Sequence, residues 1–250
     1  MKIAAYQAPL ANGDIGHTID LIRNQIAQCD SLSVEILCCP EAVLGGLADY
    51  ADDPLSIAID PRGGELNALL APLTSERVTT LIGFTERGEQ NRLYNSVALF
   101  HRGEVIGIQR KRNPAINKSV YSPGEENRVF TIGQWKLGIL ICRDSTFPEL
   151  ASELVEQGAE ALFVPTNNGM PASRGGRELV AASRGVDVAL ARDHSVSVIR
   201  ADVVGVTPNL MSHGSSGIVD RAGDIIGVVD PLTTGLIVAE IGFRSQTAAA

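Results

Sequence analysis

The chain has 250 residues, of which 44% are hydrophobic, and a formal net charge of −8. This length is sufficient for one large α/β domain with a sizeable core. The acidic balance and the lack of a long Lys/Arg cluster argue against a nucleic-acid partner. No segment approaches 18 apolar residues, and no basic region precedes an apolar run at the N-terminus, so we expect neither a membrane span nor export.

The cysteines and histidines predict neither disulfides nor a metal site. Cys29, Cys38, Cys39 and Cys142 lack the paired spacing of a disulfide framework. The adjacent Cys38 and Cys39 would point to opposite faces of a strand, so they are poor partners for each other. The four histidines are scattered, and no Cys/His/Asp cluster has metal-ligand spacing. We therefore predict a cytoplasmic protein that binds no metal ion.

The first half of the chain predicts strands that alternate with helices, followed by a hairpin. Short apolar runs bounded by turn residues indicate strands, and apolar residues at helical spacing indicate helices. Arg102-Gly103 is a two-residue sequence of the hairpin-turn type. The predicted elements are strands at 2–6, 34–39, 78–84, 94–101 and 104–110, and helices at 17–28 and 64–71.

The second half predicts the same mixture of elements. Ser145 is placed to cap a helix that has Pro148 in or near its first turn. The predicted elements are strands at 128–132, 135–141, 161–164 and 195–202, helices from 145 to about 157 and at 174–192, and a closing antiparallel meander at 214–219, 225–229 and 235–241. No linker divides the chain, so residues 1–250 are predicted to form one α/β domain of sheets covered by helices. Residues 243–250 are predicted to be a loose tail or an arm on a partner chain.

Cys142 follows a predicted buried strand and precedes the N-terminus of a predicted helix. Open α/β sheets bind ligands at the carboxyl ends of their strands, and a helix N-terminus or a nearby cation lowers the pKa of a thiol. A free cysteine is otherwise commonly a small buried hydrophobe. The local sequence therefore leaves two interpretations open, a nucleophile and a structural thiol.

Glu41 and Lys111 also lie at the ends of predicted strands. Pro40 cannot donate to a β-ladder, so the strand at 34–39 stops and Glu41 projects from its end. Taken singly, each residue is also compatible with an ordinary solvated charge. Together with Cys142 they supply the nucleophile, the base and the positive oxyanion donor that acyl transfer from an amide requires.

These motifs resemble the nitrilase superfamily of carbon–nitrogen hydrolases, and the resemblance runs nearly end to end. The segments that carry the three groups are Cys39-Pro-Glu41, Tyr94-Asn-Ser-Val-Ala-Leu-Phe100 with Arg110-Lys111, and Leu137-Gly-Ile-Leu-Ile-Cys142-Arg-Asp. Further similar segments are Ala4-Ala-Tyr-Gln, Phe147-Pro-Glu, Pro165-Thr-Asn-Asn, Arg192 and Ser215-Ser-Gly-Ile-Val-Asp220. Three catalytic segments in the family's order favour the nucleophile interpretation of Cys142.

The resemblance implies a four-layer αββα sandwich of the nitrilase type, with two mixed sheets flanked by helices. It also implies a homodimer or higher homo-oligomer, and hydrolysis of a non-peptide C–N bond through a cysteine thioester without a metal or organic cofactor. Carried over to this chain, Glu41 is the general base and Cys142 is the nucleophile. Lys111 and the backbone N–H of Arg143 then form the oxyanion hole.

One departure from the family pattern concerns Ser119, which stands where many members carry a second glutamate before the Pro-Gly turn. The first functional hypothesis is hydrolysis of a small amide or N-carbamoyl compound to an acid and ammonia. The departure keeps a second class open, a binding or regulatory module with little activity, and a nitrile is an alternative substrate. A cysteine-dependent α/β-hydrolase is disfavoured, because Cys142 lacks the flanking glycines of a nucleophile elbow.

Substrate selection is expected from the loops at 44–49, 113–121 and 167–174. The predicted substrate-binding residues are Ser119, Tyr121, Asn167, Asn168 and Arg174. Arg143, Arg174 and Arg177 are candidates for holding a substrate carboxylate, because Arg binds carboxylates through two parallel hydrogen bonds. The sequence does not determine which amide is the substrate.

Overall fold

The computed structural model describes residues 1–10, 13–115, 117–171 and 176–242. These residues form two mixed β-sheets with α-helices on their outer faces. The strands are β1 (Lys2–Pro9), β2 (Ile36–Cys38), β3 (Thr79–Arg87), β4 (Leu93–His101), β5 (Glu104–Arg110), β6 (Phe130–Ile132), β7 (Trp135–Ile139), β8 (Ala161–Pro165), β9 (Ser197–Ala201), β10 (Val203–Val206), β11 (Met211–His213), β12 (Gly217–Val219), β13 (Ile225–Val228) and β14 (Gly235–Glu240). The α-helices are α1 (Ile15–Ser31), α2 (Glu65–Leu70), α3 (Pro148–Glu156) and α4 (Arg177–His194).

The first sheet has the strand order β11-β10-β1-β2-β3-β4-β5, with β14 also paired to β1. Strands β1, β2 and β3 are parallel, whereas β4 is antiparallel to both of its neighbours. Strand β5 therefore runs in the same direction as β2, and both end at the same edge of the sheet. The predicted hairpin is confirmed: Arg102 and Gly103 join β4 to β5 with φ angles of 49° and 85°, which suit a hairpin turn with two positive φ values.

The second sheet has the strand order β13-β12-β9-β8-β7-β6, and its central strands β7, β8 and β9 are parallel. The predicted closing meander is wrong in its last strand. Strands β12 and β13 pair antiparallel as expected, but β14 crosses to the first sheet and pairs with β1 from Lys2 to Gln7. This pairing satisfies the main chain along one side of β1, which the local sequence pattern could not reveal.

Three apolar clusters establish the order of the layers and confirm the αββα sandwich. Helices α1 and α2 pack on the outer face of the first sheet through residues such as Ile22 and Leu70. Helices α3 and α4 cover the second sheet through residues such as Leu154 and Leu190. The cluster between the sheets draws on strands of both, and it includes Ile3, Val97, Leu99, Leu137, Ile139, Phe163 and Ile199. Full burial of such a side chain contributes about 1.5–3 kcal/mol.

The start of α3 differs from the prediction. Cys142–Thr146 form a 3₁₀ turn, and α3 begins only at Pro148, with Phe147 as an N-cap that makes no side-chain hydrogen bond. The prediction that Ser145 caps this helix is therefore wrong. Instead, Ser145 Oγ donates to the carbonyl oxygen of Cys142 at 2.7 Å, because the 3₁₀ turn brings that carbonyl within reach.

Two further points concern the chain as a whole. Within the described ranges, no helix is long and apolar enough to cross a membrane. The predicted tail or arm at 243–250 lies outside the described residues, so its form stays a prediction.

Candidate active site

Glu41 follows β2, Lys111 follows β5 and Cys142 follows β7, so three strand ends from two sheets deliver the three predicted catalytic side chains. The structure brings them together around one cavity of about 110 Å³. A larger cleft of about 980 Å³ lies elsewhere, around Tyr94 and Arg110, and contains none of the three. The smaller cavity is therefore the candidate active site.

Glu41 is 1% exposed, and both of its carboxylate oxygens accept hydrogen bonds from the protein. Oε1 accepts from Lys111 Nζ at 2.5 Å and from Asn95 Nδ2 at 2.7 Å, while Oε2 accepts from the backbone N–H of Asn167 at 2.9 Å. A buried carboxylate requires such partners in place of water. These contacts hold the carboxylate in one orientation.

The turn that carries Glu41 packs directly against β3. A Cβ atom at Gly83 would lie 2.3 Å from the carbonyl oxygen of Pro40 and 2.4 Å from the backbone nitrogen of Ala42. Glycine is required where two backbones approach this closely. Gly83 therefore fixes how near the Glu41 turn lies to the centre of the first sheet.

Lys111 is 3% exposed and lies beside the Glu41 carboxylate. Burial is the largest single influence and would lower the pKa of Lys111, but the charges of Glu41, Cys142 and Asp144 and the hydrogen bond to Glu41 together outweigh it and raise the pKa above its ordinary value. Lys111 therefore stays cationic at neutral pH. Its backbone is held on both sides, since its N–H donates to Asn95 O at 2.8 Å and its carbonyl accepts from Gly124 N at 2.7 Å.

Cys142 has a φ angle of +49°, in the left-handed region that residues other than glycine rarely occupy. Burial, and next the charge of Glu41, raise the pKa of its thiol to about 12, although Lys111 and Arg200 act in the opposite direction. Desolvation therefore outweighs the effect of the neighbouring cations on the thiol pKa. The raised pKa favours a neutral thiol near the Glu41–Lys111 ion pair.

Of the predicted substrate-binding residues, Tyr121, Asn167 and Asn168 line the cavity, and Ser119 is not among the described lining residues. Arg174 lies outside the described residues. The Ser119 hydroxyl instead donates to Asp49 Oδ2 at 3.0 Å.

The polar groups of these lining residues are already engaged by the protein. Tyr121 Oη accepts from the backbone N–H of Ala48 and is hydrogen-bonded to Thr85 Oγ1, both at 2.7 Å. Asn167 Nδ2 donates to the Glu41 carbonyl at 3.4 Å, and Asn168 Nδ2 donates to Asp202 Oδ2 at 2.9 Å. These side chains form the wall of the cavity, and Asn167 also holds the Glu41 backbone. Their polar groups mainly bond to the protein and not to a substrate.

The predicted arginine anchor is not favoured for Arg143. Its guanidinium Nη1 donates to the carbonyl oxygens of Pro114 and Ala115 at 3.2 and 3.3 Å, and Arg143 is not among the described residues that line the cavity. Its neighbour Asp144 accepts from the backbone N–H groups of Arg112 and Asn113 at 3.1 and 2.8 Å. Asp144 thus ties the Cys142 turn to the segment that follows Lys111.

Asn95 and Asp49 also line the cavity and were not named as site residues, although Asp49 lies in the predicted substrate loop at 44–49. Asn95 is 2% exposed, and its Oδ1 has no hydrogen-bond partner among the described residues. Asp49 brings a second carboxylate to the cavity, oriented by Ser119 and by the backbone N–H of Val120 at 2.8 Å. A signal existed for Asn95, because an amide side chain stands in a largely apolar strand.

Comparison with known proteins identifies the family of the chain. The carbon–nitrogen hydrolase family model matches residues 2–249, and the chain therefore belongs to that family. It is 29% identical over 249 residues to an (R)-stereoselective amidase of a Pseudomonas species, covering 97% of this chain and 81% of the relative. It is 30% identical over 175 residues to a hydrolase in the pqqF 5′ region of Pseudomonas protegens, covering 68% of this chain but only 61% of the relative.

Among solved structures, the chain is similar to an amidase from Nesterenkonia sp. AN1, with a TM-score of 0.77 and 22% identity. The match covers 97% of this chain and 93% of that amidase. The structure is of a variant of that amidase, with acrylamide added to its active-site cysteine. At this identity the likeness concerns the fold alone.

Proposed function

We propose that this chain hydrolyses the C–N bond of a small amide or N-carbamoyl compound and releases ammonia through a thioester on Cys142. The observation that carries the proposal is the buried Glu41–Lys111 ion pair beside the Cys142 thiol in one cavity. The amidase among the relatives supports an amide as the substrate class.

Glu41 would act as the base, since so few thiolates exist when the thiol pKa is about 12. As the Cys142 sulfur bonds to the substrate carbonyl carbon, the thiol proton passes to Glu41. Glu41 returns that proton to the leaving nitrogen, the C–N bond breaks, and ammonia and a thioester result. A water molecule then attacks the thioester, its proton passes through Glu41 to the sulfur, and the acid leaves.

Lys111 is the proposed donor to the oxyanion of both tetrahedral intermediates. The Lys111 ammonium has three N–H donors, and one of them donates a hydrogen bond to Glu41. The other two remain for a substrate oxygen. The backbone N–H of Arg143, directly after the nucleophile, is the proposed second donor. Loss of one such donor raises the barrier by about 3 kcal/mol, or roughly 10²-fold in rate.

The size and charge of the cavity narrow the substrate class. A volume of about 110 Å³ is well below the roughly 300–1,000 Å³ of pockets for drug-sized ligands, so a substrate of a few heavy atoms is favoured. Among the described lining residues, Glu41 and Lys111 offset each other and Asp49 remains as a further negative charge. Neutral or cationic amides are therefore favoured over amides that bear a carboxylate.

Asn95 favours an amide over a nitrile. Its buried Oδ1 lacks a protein donor among the described residues, and an unsatisfied buried acceptor costs about 1–3 kcal/mol. The N–H of a bound amide or carbamoyl group could donate to this oxygen, whereas a nitrile has no such hydrogen. An amide therefore completes the hydrogen bonding of the wall.

The test is ammonia release from a panel of small amides, ω-amides, carbamoyl compounds and nitriles. Cys142→Ala should abolish release while the protein stays folded, and Cys29→Ala, at a buried position in α1, is the matched control. Release from no compound by the wild type, or full activity of Cys142→Ala, would reject the proposal.

A second measurement separates the hydrolase from a binding module. Cys29, Cys38 and Cys39 are buried and Cys142 is only partly so, hence faster labelling of Cys142 alone would reflect its accessibility. The informative comparison is Cys142 labelling by iodoacetamide in the wild type and in Glu41→Gln. The charge of Glu41 raises the thiol pKa, so its removal alone should speed labelling. Slower labelling in the variant therefore supports base assistance, whereas equal or faster labelling supports the module.

A further inference from the structure

Arg200 is a buried charge in β9 that the scheme above does not use. It is 2% exposed, although the rest of this strand is apolar or small. Asp187 of α4 accepts from its Nε at 2.7 Å and from its Nη2 at 2.5 Å. This two-bond pair offsets part of the cost of burying the guanidinium.

The other contacts of Arg200 lead toward the catalytic residues. Its Nη2 also donates to Ser145 Oγ at 3.1 Å, and that hydroxyl in turn donates to the carbonyl oxygen of Cys142 at 2.7 Å. Its Nη1 donates to Thr166 Oγ1 at 2.7 Å.

Thr166 extends the same chain of contacts to the base. Its carbonyl oxygen accepts from the backbone N–H of Glu41 at 3.3 Å. The next residue, Asn167, donates its N–H to Glu41 Oε2. One guanidinium therefore joins the turn that carries the thiol to the segment that orients the carboxylate.

We propose that Arg200 is a positioning residue, which holds the backbone of Cys142 in register with the Glu41–Lys111 pair. The inference rests on the proposed hydrolase function. The positive φ of Cys142 gives a physical reason for such support, because a residue in this region persists only when its surroundings hold it there. Asp187 offsets the charge of Arg200, and the planar guanidinium group directs its N–H donors toward Thr166 and Ser145.

A lysine at this position would keep the positive charge but lose the planar set of N–H donors of the guanidinium group. Arginine presents donors on three nitrogens in one plane, whereas the lysine ammonium is a single point on a flexible stem. It cannot reach Asp187, Thr166 and Ser145 with the same geometry. Arg200→Lys therefore separates the effect of position from the effect of charge.

The experiment compares Arg200→Lys and Ser145→Ala with the control Ser152→Ala. Ser152 lies in α3 and also donates its hydroxyl to a nearby carbonyl, that of Pro148, but it is partly exposed and is not among the described hydrogen-bond partners of Arg200. The readouts are kcat and KM on an amide that the wild type hydrolyses, the rate of Cys142 labelling by iodoacetamide, and the melting temperature. A displacement of about 1 Å in a catalytic group costs roughly 10²-fold in rate.

We expect kcat to fall between about tenfold and a hundredfold in Ser145→Ala and Arg200→Lys, with KM little changed. Cys142 labelling should slow in both, and Ser152→Ala should match the wild type. A lower melting temperature with unchanged kcat and labelling in the folded variants would show a purely structural role and overturn the proposal. Wild-type rates in both variants would overturn it as well.

The labelling readout needs no amide substrate, so it separates this inference from the proposed function. If the wild type hydrolyses no amide but the two variants slow the labelling of Cys142, the hydrolase proposal fails and the role of Arg200 in placing the thiol stands. If the wild type hydrolyses an amide and the variants change neither kcat nor labelling, only the Arg200 proposal fails.

Discussion

Gly83→Ala offers a test of how far the proposed catalytic carboxylate of Glu41 depends on a backbone contact. The added Cβ would lie 2.3 Å from Pro40 O, 2.4 Å from Ala42 N and 2.8 Å from the carbonyl carbon of Glu41. All three atoms are backbone, so no side chain can rotate away. Strand β3 is paired on both sides, to β2 and β4, and the Glu41 turn is therefore the part that moves.

The distances set the size of the expected effect. Restoring an ordinary contact of about 3.4 Å requires a shift of the Glu41 turn by about 1 Å. Such a shift would disrupt the hydrogen bonds of 2.5–2.9 Å that hold the Glu41 carboxylate. A misplacement of this size costs roughly 10²-fold in rate, or about 2.7 kcal/mol in the barrier.

The assay is kcat/KM on the best amide of the panel, with thermal unfolding measured in parallel. Gly185→Ala is the matched control, because Gly185 is exposed inside α4 and a Cβ added there would meet nothing within 4 Å. That control should keep full activity and gain up to about 1 kcal/mol of stability from the better helix former. Wild-type kcat/KM in folded Gly83→Ala would refute the reasoning.

Three more predictions concern the cavity. The thiol pKa of Cys142 is raised to about 12, so less of the thiol is ionised at any given pH. Its rate of iodoacetamide labelling should therefore still rise with pH through pH 10. A plateau near the ordinary thiol pKa of about 8.5 would contradict this. Asn95→Ser should lower kcat/KM by roughly tenfold or more through loss of a buried hydrogen bond, with the exposed Asn24→Ser as control; equal values would show that Asn95 Oδ1 contacts no substrate. Asp49→Asn should raise KM for amides that bear an ammonium but not for neutral amides, with the exposed Asp52→Asn as control, and a uniform change would argue against a role of charge.

The sequence was informative wherever local chemistry determined the outcome. Pro40 ended a strand ahead of Glu41, and the change from apolar to polar residues after β7 marked Cys142. Because β2, β5 and β7 end at one edge of the sandwich, residues placed at those strand ends meet. The family and the four-layer fold were therefore predictable, and the homo-oligomer implied by the resemblance stays a prediction.

Contacts between distant segments were not predictable in the same way. Nothing local to β14 indicated that it leaves β13 and pairs with β1. The single glycine of β3 did not indicate which backbone would approach it. Ser145 matched a helix cap, but its hydroxyl donates to the Cys142 carbonyl within the same turn. Arg200 was a missed signal, since a charge inside a buried strand requires a partner.

The proposed catalytic groups belong to different sheets, which has a consequence for how mutations could alter the site. Glu41 and Lys111 follow strands of the first sheet and Cys142 follows a strand of the second. The apolar side chains between the two sheets therefore determine the distance between the thiol and the Glu41–Lys111 pair. Trimming a side chain in that layer, such as Leu99 or Phe163, would let one sheet slide or settle on the other. The turnover rate would then change with the distance between Cys142 and the Glu41–Lys111 pair, although each sheet kept its own structure.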